Sequence, residues 1–162
     1  MPRPGVSMSL VVRPYRSEDR HPLIAMLLIS EPWIQLGYTT PRWDLFFDTL
    51  TDGREGFVVE LEGVAAGLAL VRRHFLMGDY LELLVVEPAL RGKGLGRMLL
   101  ERVEAQVFAR SKNLFVCVSD FNRDARRFYE QRGYREVGPI PDLLKPGSSE
   151  ILMRKSAGPA TS

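Results

Sequence analysis

The sequence predicts a single α/β (α+β) domain: a mixed, mostly antiparallel sheet of about seven strands with helices on both faces. Three observations predict it. Strand-like runs at Gly56–Leu61, Val64–Arg73 and Tyr80–Val86 follow one another through short turns, so neighbours pair as hairpins. The segment from Tyr80 to Val118 reads strand, helix, strand, which makes one parallel crossover. Within it Leu99, Val103 and Val107 recur four apart and give the crossover helix one buried face.

In chain order, Ser9 to Arg13 forms a first strand, stopped by Pro14. Ser17 is placed to cap a helix that runs to about Ile29, with Glu18 and Asp19 suiting its N-terminus and Pro22 in its first turn. EPWIQLGYTTP, residues 31–41, is a loop or broken helix. Pro41 opens a second helical pattern carrying Trp43, Phe46, Phe47 and Leu50, ended by TDG at 51–53. The hairpin turns fall at Glu62–Gly63 and at Met77–Asp79. A helix from Gly96 to Arg110 leads to a short buried strand at Leu114–Val118. Asn122 to Gln131 is a helix closed by Gly133. Two last strands, Tyr134–Val137 and Glu150–Arg154, flank a loop, GPIPDLLKPGSS. Residues 1–8 and 156–162 are expected to be disordered, leaving one domain over 9–155.

Composition narrows the function. The 162 residues are 45% hydrophobic and 26% charged, an ordinary globular balance with enough chain for a real core. A net charge of +2 and the lack of a base-reading motif speak against nucleic acid as a partner. One cysteine, Cys117, excludes an intrachain disulfide or a cysteine zinc cluster, and His21 and His74 have no metal-ligand spacing, so no metal is expected. No apolar run approaches the ~20 residues of a membrane span, and the first residues lack a signal-peptide core. A cytoplasmic protein without membrane attachment is expected.

The informative stretch is LLVVEPALRGKGLGRMLLERVEAQ, residues 83–106. Gly92, Gly94 and Gly96 alternate with Arg91, Lys93, Leu95 and Arg97 immediately before a helix. A helix N-terminus presents free N–H groups and partial positive charge, and glycines let an anion approach the backbone. The segment is suited to a phosphate or pyrophosphate. It lacks the P-loop spacing, and G-x-G-x-G is not the dinucleotide fingerprint.

The pattern R-x-x-G-x-G, carried by Arg91, Gly94 and Gly96, resembles the coenzyme A pyrophosphate loop of the GCN5-related N-acetyltransferases (GNAT). FNRDARRFYEQRGY, residues 121–134, resembles the same family's N-x-x-A-x-x-F-Y-x-x-x-G-[FY] signature through Asn122, Ala125, Phe128, Tyr129, Gly133 and Tyr134. The resemblance covers roughly Ser9 to Lys155 and is sharp from Tyr80 to Tyr134. It implies a splayed central strand, acetyl-CoA as acyl donor, and direct attack of an amine on the thioester. It assigns oxyanion and pantetheine contacts to backbone groups of Leu84, Val85 and Val86, a pantetheine contact to Asn122, and protonation of the departing sulfur to Tyr129.

Acyl transfer also needs a group to take the amine's proton. Glu82 is the only charge between Leu81 and Val86, and a carboxylate among apolar neighbours can serve as a base near neutrality. The strand resembles that of the diamine acetyltransferases, where the matching Glu is the base, often through water. Glu82 on a solvent face is the competing reading, since alternation does not fix the face. Asn122 has a second reading as a helix cap. Tyr129 has one as an amphipathic tyrosine. Cys117, with no activating neighbour in sequence, reads as a buried inert thiol.

The resemblance places the acceptor amine against the first two helices. Trp33 and Tyr38 could line an amine pocket, since aromatic faces attract cations, although Trp33 could equally staple the two helices. His74 is an auxiliary candidate in the substrate cleft, or a surface histidine. The resemblance implies a primary amine as acceptor, of a small molecule or a protein N-terminus, and its identity is open, as is an acyl group larger than acetyl. The resembled family often dimerises, but no exposed apolar stretch marks an interface. A non-catalytic acyl-CoA-binding module on the same fold is the alternative. It would bind acetyl-CoA and release no thiol with any amine.

Overall fold

A computed structural model of the protein describes residues 9–50 and 53–161. The disorder expected for residues 1–8 and at Ser162 lies outside them, as do Thr51 and Asp52 of the TDG stop. The described residues form strands β1 (Leu10–Pro14), β2 (Arg54–Leu61), β3 (Val64–Phe75), β4 (Gly78–Val86), β5 (Asn113–Ser119), β6 (Arg135–Pro141) and β7 (Ser149–Ser156). The α-helices are α1 (Arg20–Leu28), α2 (Thr40–Asp48), α3 (Leu95–Phe108) and α4 (Arg123–Glu130). One seven-stranded sheet results, in the order β1-β2-β3-β4-β5-β7-β6. Every pair is antiparallel except β4 with β5, which are parallel. The mixed sheet and its single parallel crossover are those expected from the sequence.

Each sheet face has its own core. Leu95, Leu99, Leu100, Val103 and Val107 of α3 bury against Val59, Val71, Leu81 and Val116 on one face. On the other, Leu23, Ile24 and Leu27 of α1 and Trp43 and Phe47 of α2 bury against Val58, Leu68, Leu83 and Val85. Full burial of each such side chain contributes roughly 1.5–3 kcal/mol. These two layers therefore fix the sheet from both sides.

Several boundaries differ from the sequence expectation. The β3–β4 turn is Leu76–Met77, where both residues adopt left-handed φ angles of 43° and 61°. The strands therefore run two residues further on each side. Glu62 and Gly63, at φ 53° and 77°, form the β2–β3 turn as expected. Ser17 does not cap α1. Instead a 3-10 turn occupies Ser17–Asp19, and the Asp19 carboxylate accepts the Arg16 N–H at 2.8 Å. Gly138 to Pro141, expected as loop, belong to β6. This is an edge strand, where proline is tolerated because one side needs no donors. The expected C-terminal tail begins later than Ser156. That residue ends β7, and the Ala157 N–H donates to Lys112. Among the described residues no helix is long and apolar enough to cross a membrane.

Candidate active site

The parallel pair β4–β5 is joined only at Asp79↔Leu114, Tyr80↔Phe115 and Leu81↔Val116. Beyond Leu81 the strands part. Residues 83–86 of β4 keep partners on β3 alone, while β5 continues beside β7 to Ser119. A cleft of about 1350 Å³ opens at this point. Its lining includes Glu82 to Val86, the loop from Arg91 to Arg97, Cys117 to Ser119, Asn122, Tyr129 and Glu150. Residues expected from three separate stretches of sequence thus meet at one place.

β4 carries a bulge here. Leu70 pairs with Leu83 and Val71 with Leu81, leaving Glu82 as the extra residue. A bulge re-aims side chains and interrupts the ladder. After it, Leu83 and Val85 join the α1–α2 core, while Leu84 and Val86 pack against the α3 core. The apolar side chains are thus used by the two cores, and the backbone edge of β4 is what the cleft receives.

The glycine loop closes one end. Gly92 and Gly94 have φ angles of 78° and 83°, in the left-handed region that glycine supplies without strain. Gly94 caps α3 with no side-chain cap bond. The N–H groups of Leu95, Gly96 and Arg97 therefore lie in the first turn without intrahelical partners. Arg91, Lys93 and Arg97 are exposed around them. Arg97 also faces Glu101 one turn on, at 3.7 Å. Loop and helix end form a basic concavity of free donors, which fits a pyrophosphate.

Asn122 takes the helix-cap role. Its Oδ1 accepts the Ala125 N–H at 3.2 Å and caps α4. Its Nδ2 has no acceptor among the described residues and borders the cleft. Tyr129 is 5% exposed, with its ring held edge-on by Phe128 and Tyr134 at 5.1 and 5.3 Å. Its hydroxyl has no hydrogen-bond partner among the described residues, and burial pushes its pKa up. It keeps its proton until a strongly basic neighbour arrives.

Glu82 lines the cleft but is not free. Oε2 accepts Arg54 Nε at 2.9 Å, and Oε1 accepts Arg54 Nη2 at 3.1 Å and Arg72 Nη2 at 3.0 Å. A carboxylate offers about four lone-pair sites, so one on Oε2 is left. The clamp spans β2, β3 and β4 and pins the bulge. Glu82 is neither the isolated carboxylate nor the solvent-facing one that the sequence allowed.

The acceptor-side candidates divide. Trp33 and Tyr38 border the cleft with Trp43 and Phe46. Trp33 meets the Trp43 ring at 5.7 Å and so does staple the α1–α2 connection to α2. The Arg42 guanidinium already covers one face of Tyr38 at 3.8 Å, leaving that face closed to an amine. Lys145 of the β6–β7 loop donates to the Gln35 carbonyl at 3.2 Å, joining the two loops that flank this side. His74 does not belong to the cleft. It lies at the β3–β4 turn, exposed, at φ 63°, with its N–H donating to Asp79. Its strand carries it toward the end of the sheet where β4 and β5 are joined, away from the splay.

Cys117 is half-buried rather than buried, because the parting strands open beside it. Burial still raises its pKa, so it is not an activated nucleophile. Sequence reasoning missed Arg54 and Glu150. Glu150 lies on β7, opposite Ser119 of β5, and Ser119 Oγ donates to its Oε2 at 2.7 Å. The signal was present in SSEILMRK as a lone carboxylate opening an apolar strand. No metal-binding group of three or more His, Cys, Asp or Glu side chains occurs among the described residues.

Comparisons with known proteins point to one family. The acetyltransferase (GNAT) family model matches residues 22–134. The chain is 26% identical over 145 residues to a peptidyl-lysine N-acetyltransferase, YjaB, of Salmonella typhimurium, covering 86% of this chain and 94% of that one. The ribosomal-protein-S18-alanine N-acetyltransferase of Escherichia coli superposes with a TM-score of 0.78 at 18% identity, over 93% of this chain and 96% of the other. An aminoglycoside 6'-N-acetyltransferase complexed with coenzyme A does so with a TM-score of 0.75 at 17% identity, over 92% and 98%. At such identities the structural likeness is one of fold. The chain belongs to the acetyltransferase (GNAT) family, a family of enzymes that transfer acyl groups.

Proposed function

We propose that the protein is an acetyl-CoA-dependent N-acetyltransferase that transfers the acetyl group to a primary amine by direct attack on the thioester. The observation that carries this reading is the parting of β4 and β5 after Leu81 and Val116, with the Tyr129 hydroxyl unpartnered beside it. The pyrophosphate would lie on the loop from Arg91 to Arg97 and the first turn of α3. The pantetheine arm would run along the open edge of Leu84, Val85 and Val86, with Asn122 Nδ2 as a donor to it. Preorganised strand N–H groups would stabilise the oxyanion of the tetrahedral intermediate.

Protons balance as follows. The incoming ammonium loses one proton to a carboxylate of the cleft, and the nitrogen attacks the thioester carbon. The C–N bond forms, the C–S bond breaks, and Tyr129 gives its proton to the sulfur. The nitrogen's second proton replaces the one Tyr129 gave, through solvent. Glu82, expected from the sequence as the base, is held by Arg54 and Arg72, with one lone pair on Oε2 uncommitted. The name of the Salmonella relative points to a peptidyl amine as the acceptor class to test first.

The test is release of free thiol from acetyl-CoA against a panel of lysine peptides, free N-terminal peptides and small primary amines. Thiol release matched by acetylated product, with one acceptor class preferred, is expected. Tight acetyl-CoA binding with no amine-dependent release overturns the reading in favour of a binding module.

A further inference from the structure

Two glutamates line the cleft, and their surroundings differ. Glu82 accepts three hydrogen bonds from two guanidinium groups. Glu150 is paired with no cation among the described residues. Its residue is 5% exposed, its Oε2 takes one hydroxyl bond from Ser119, and its Oε1 has no donor. It nevertheless borders the cleft, so the free oxygen belongs to the cavity rather than to a sealed core.

The groups around Glu150 come from three strands. Ser119 and Cys117 stand on β5, Tyr80 on β4 packs against Cys117, and Ile140 of β6 pairs with Glu150 from the outer side. Asp120, just beyond β5, is the nearby charge of the same sign. Tyr80 lies within the electrostatic reach of both Glu82 and Glu150. None of these neighbours is a cation, so the site lacks the countercharge that would hold a buried carboxylate permanently ionised.

We propose that Glu150, rather than Glu82, takes the first proton from the acceptor's ammonium group. The inference rests on the transferase reading above and specifies its base. The ammonium is the missing countercharge: it docks on Oε1, gives up one proton to it, and the neutral nitrogen attacks the thioester. Ser119 fixes the carboxylate while this happens, and the proton leaves to solvent when the product departs. Glu82 is then a positioning residue, holding the bulge that opens the β4 edge. Burial, opposed by the Ser119 hydrogen bond and aided by the Asp120 charge, pushes Glu150 up from the ordinary carboxylate range.

Two measurements test it. In wild-type protein labelled with 13C at the glutamate carboxyl, one resonance should titrate above the ordinary glutamate value of about 4.3 and vanish in Glu150→Gln. With the acceptor found in the amine panel, Glu150→Gln should lower kcat/KM roughly 100-fold at pH 7 and abolish the acid limb of its pH profile. Acetyl-CoA affinity should stay within about twofold. Glu82→Gln should keep that limb, whatever its effect on rate, because Glu150 is intact. Glu150→Asp, which restores a carboxylate, should recover part of the rate with a shifted limb. A Glu150 carboxyl that titrates in the ordinary range, or an acid limb unchanged in Glu150→Gln, overturns the assignment while the transferase reading stands. Absence of turnover with every amine overturns the transferase reading and this role with it.

Discussion

Replacing Tyr129 by phenylalanine removes one oxygen and leaves the ring packing against Phe128 and Tyr134 intact. The hydroxyl makes no hydrogen bond among the described residues, so its loss leaves no partner there unsatisfied. The stability change should be within about 0.5 kcal/mol. The rate should respond very differently. General acid assistance contributes about 100- to 10,000-fold, or about 2.7–5.4 kcal/mol at 1.36 kcal/mol per decade. A thiolate leaves unaided more readily than an amine does, so the lower end applies, near 100-fold in kcat. Because burial raises the hydroxyl's pKa above the usual value of about 10, wild-type activity should show no alkaline limb from Tyr129 below about pH 10. The assay is free-thiol release at saturating acetyl-CoA, with Tm measured on the same samples. A kcat within about threefold of wild type would refute the acid role. So would a rate loss accompanied by a Tm drop of more than about 4 °C, which would mean a structural role worth at least 1 kcal/mol.

Two further predictions concern the frame of the site. Asp19 accepts Arg13 through both oxygens at 2.7 and 2.8 Å, and the Arg13 guanidinium holds its pKa below the usual carboxylate range. A lowered folded-state pKa gives stability that is present above the unfolded value and lost as pH falls through the folded one. Asp19→Asn should therefore cost about 2–3 kcal/mol at pH 7, a Tm drop of roughly 5–10 °C, and the gap to wild type should shrink on acidification below about pH 4. A gap constant between pH 7 and pH 3 contradicts it. Gly67 lies where β3 meets the end of β4, and a Cβ there would stand 2.7 Å from the Val85 carbonyl oxygen and 3.1 Å from Leu99. Gly67→Ala should cost about 1–3 kcal/mol and weaken acetyl-CoA binding by displacing β4, whereas Gly138→Ala, with no atom within 4 Å, should do neither. Equal behaviour of the two alanine variants in thermal melts and acetyl-CoA titration would show that β4 does not depend on this contact.

What the sequence made legible was local. The β2–β3 turn shows itself through Glu62–Gly63, α3 through its four-residue spacing, and the loop before α3 through its three glycines. Each of these follows from near neighbours. What it hid was set by pairing across the sheet. Arg54 reaches Glu82 from 28 positions away, and only the register of β2 on β3 on β4 brings them together. Glu150 enters the cleft because β7 pairs with β5, a partnership no spacing reveals. His74 stayed open between cleft and surface, since the direction of β3, and not proximity in sequence, decides which end of the sheet it reaches. Cys117 looked buried because its neighbours are apolar, and it is half-open because the splay lies beside it. The prolines of β6 looked like loop because edge position is a property of the finished sheet.

The central claim is that the open edge of β4 and the glycine loop hold the coenzyme. Hydrogen–deuterium exchange with and without coenzyme A tests it most directly. Protection should concentrate on amides of residues 82–86 and 92–97, with the β3–β4 turn at Leu76–Met77 unchanged. Protection confined to other segments, or none at saturating coenzyme A, would contradict the account.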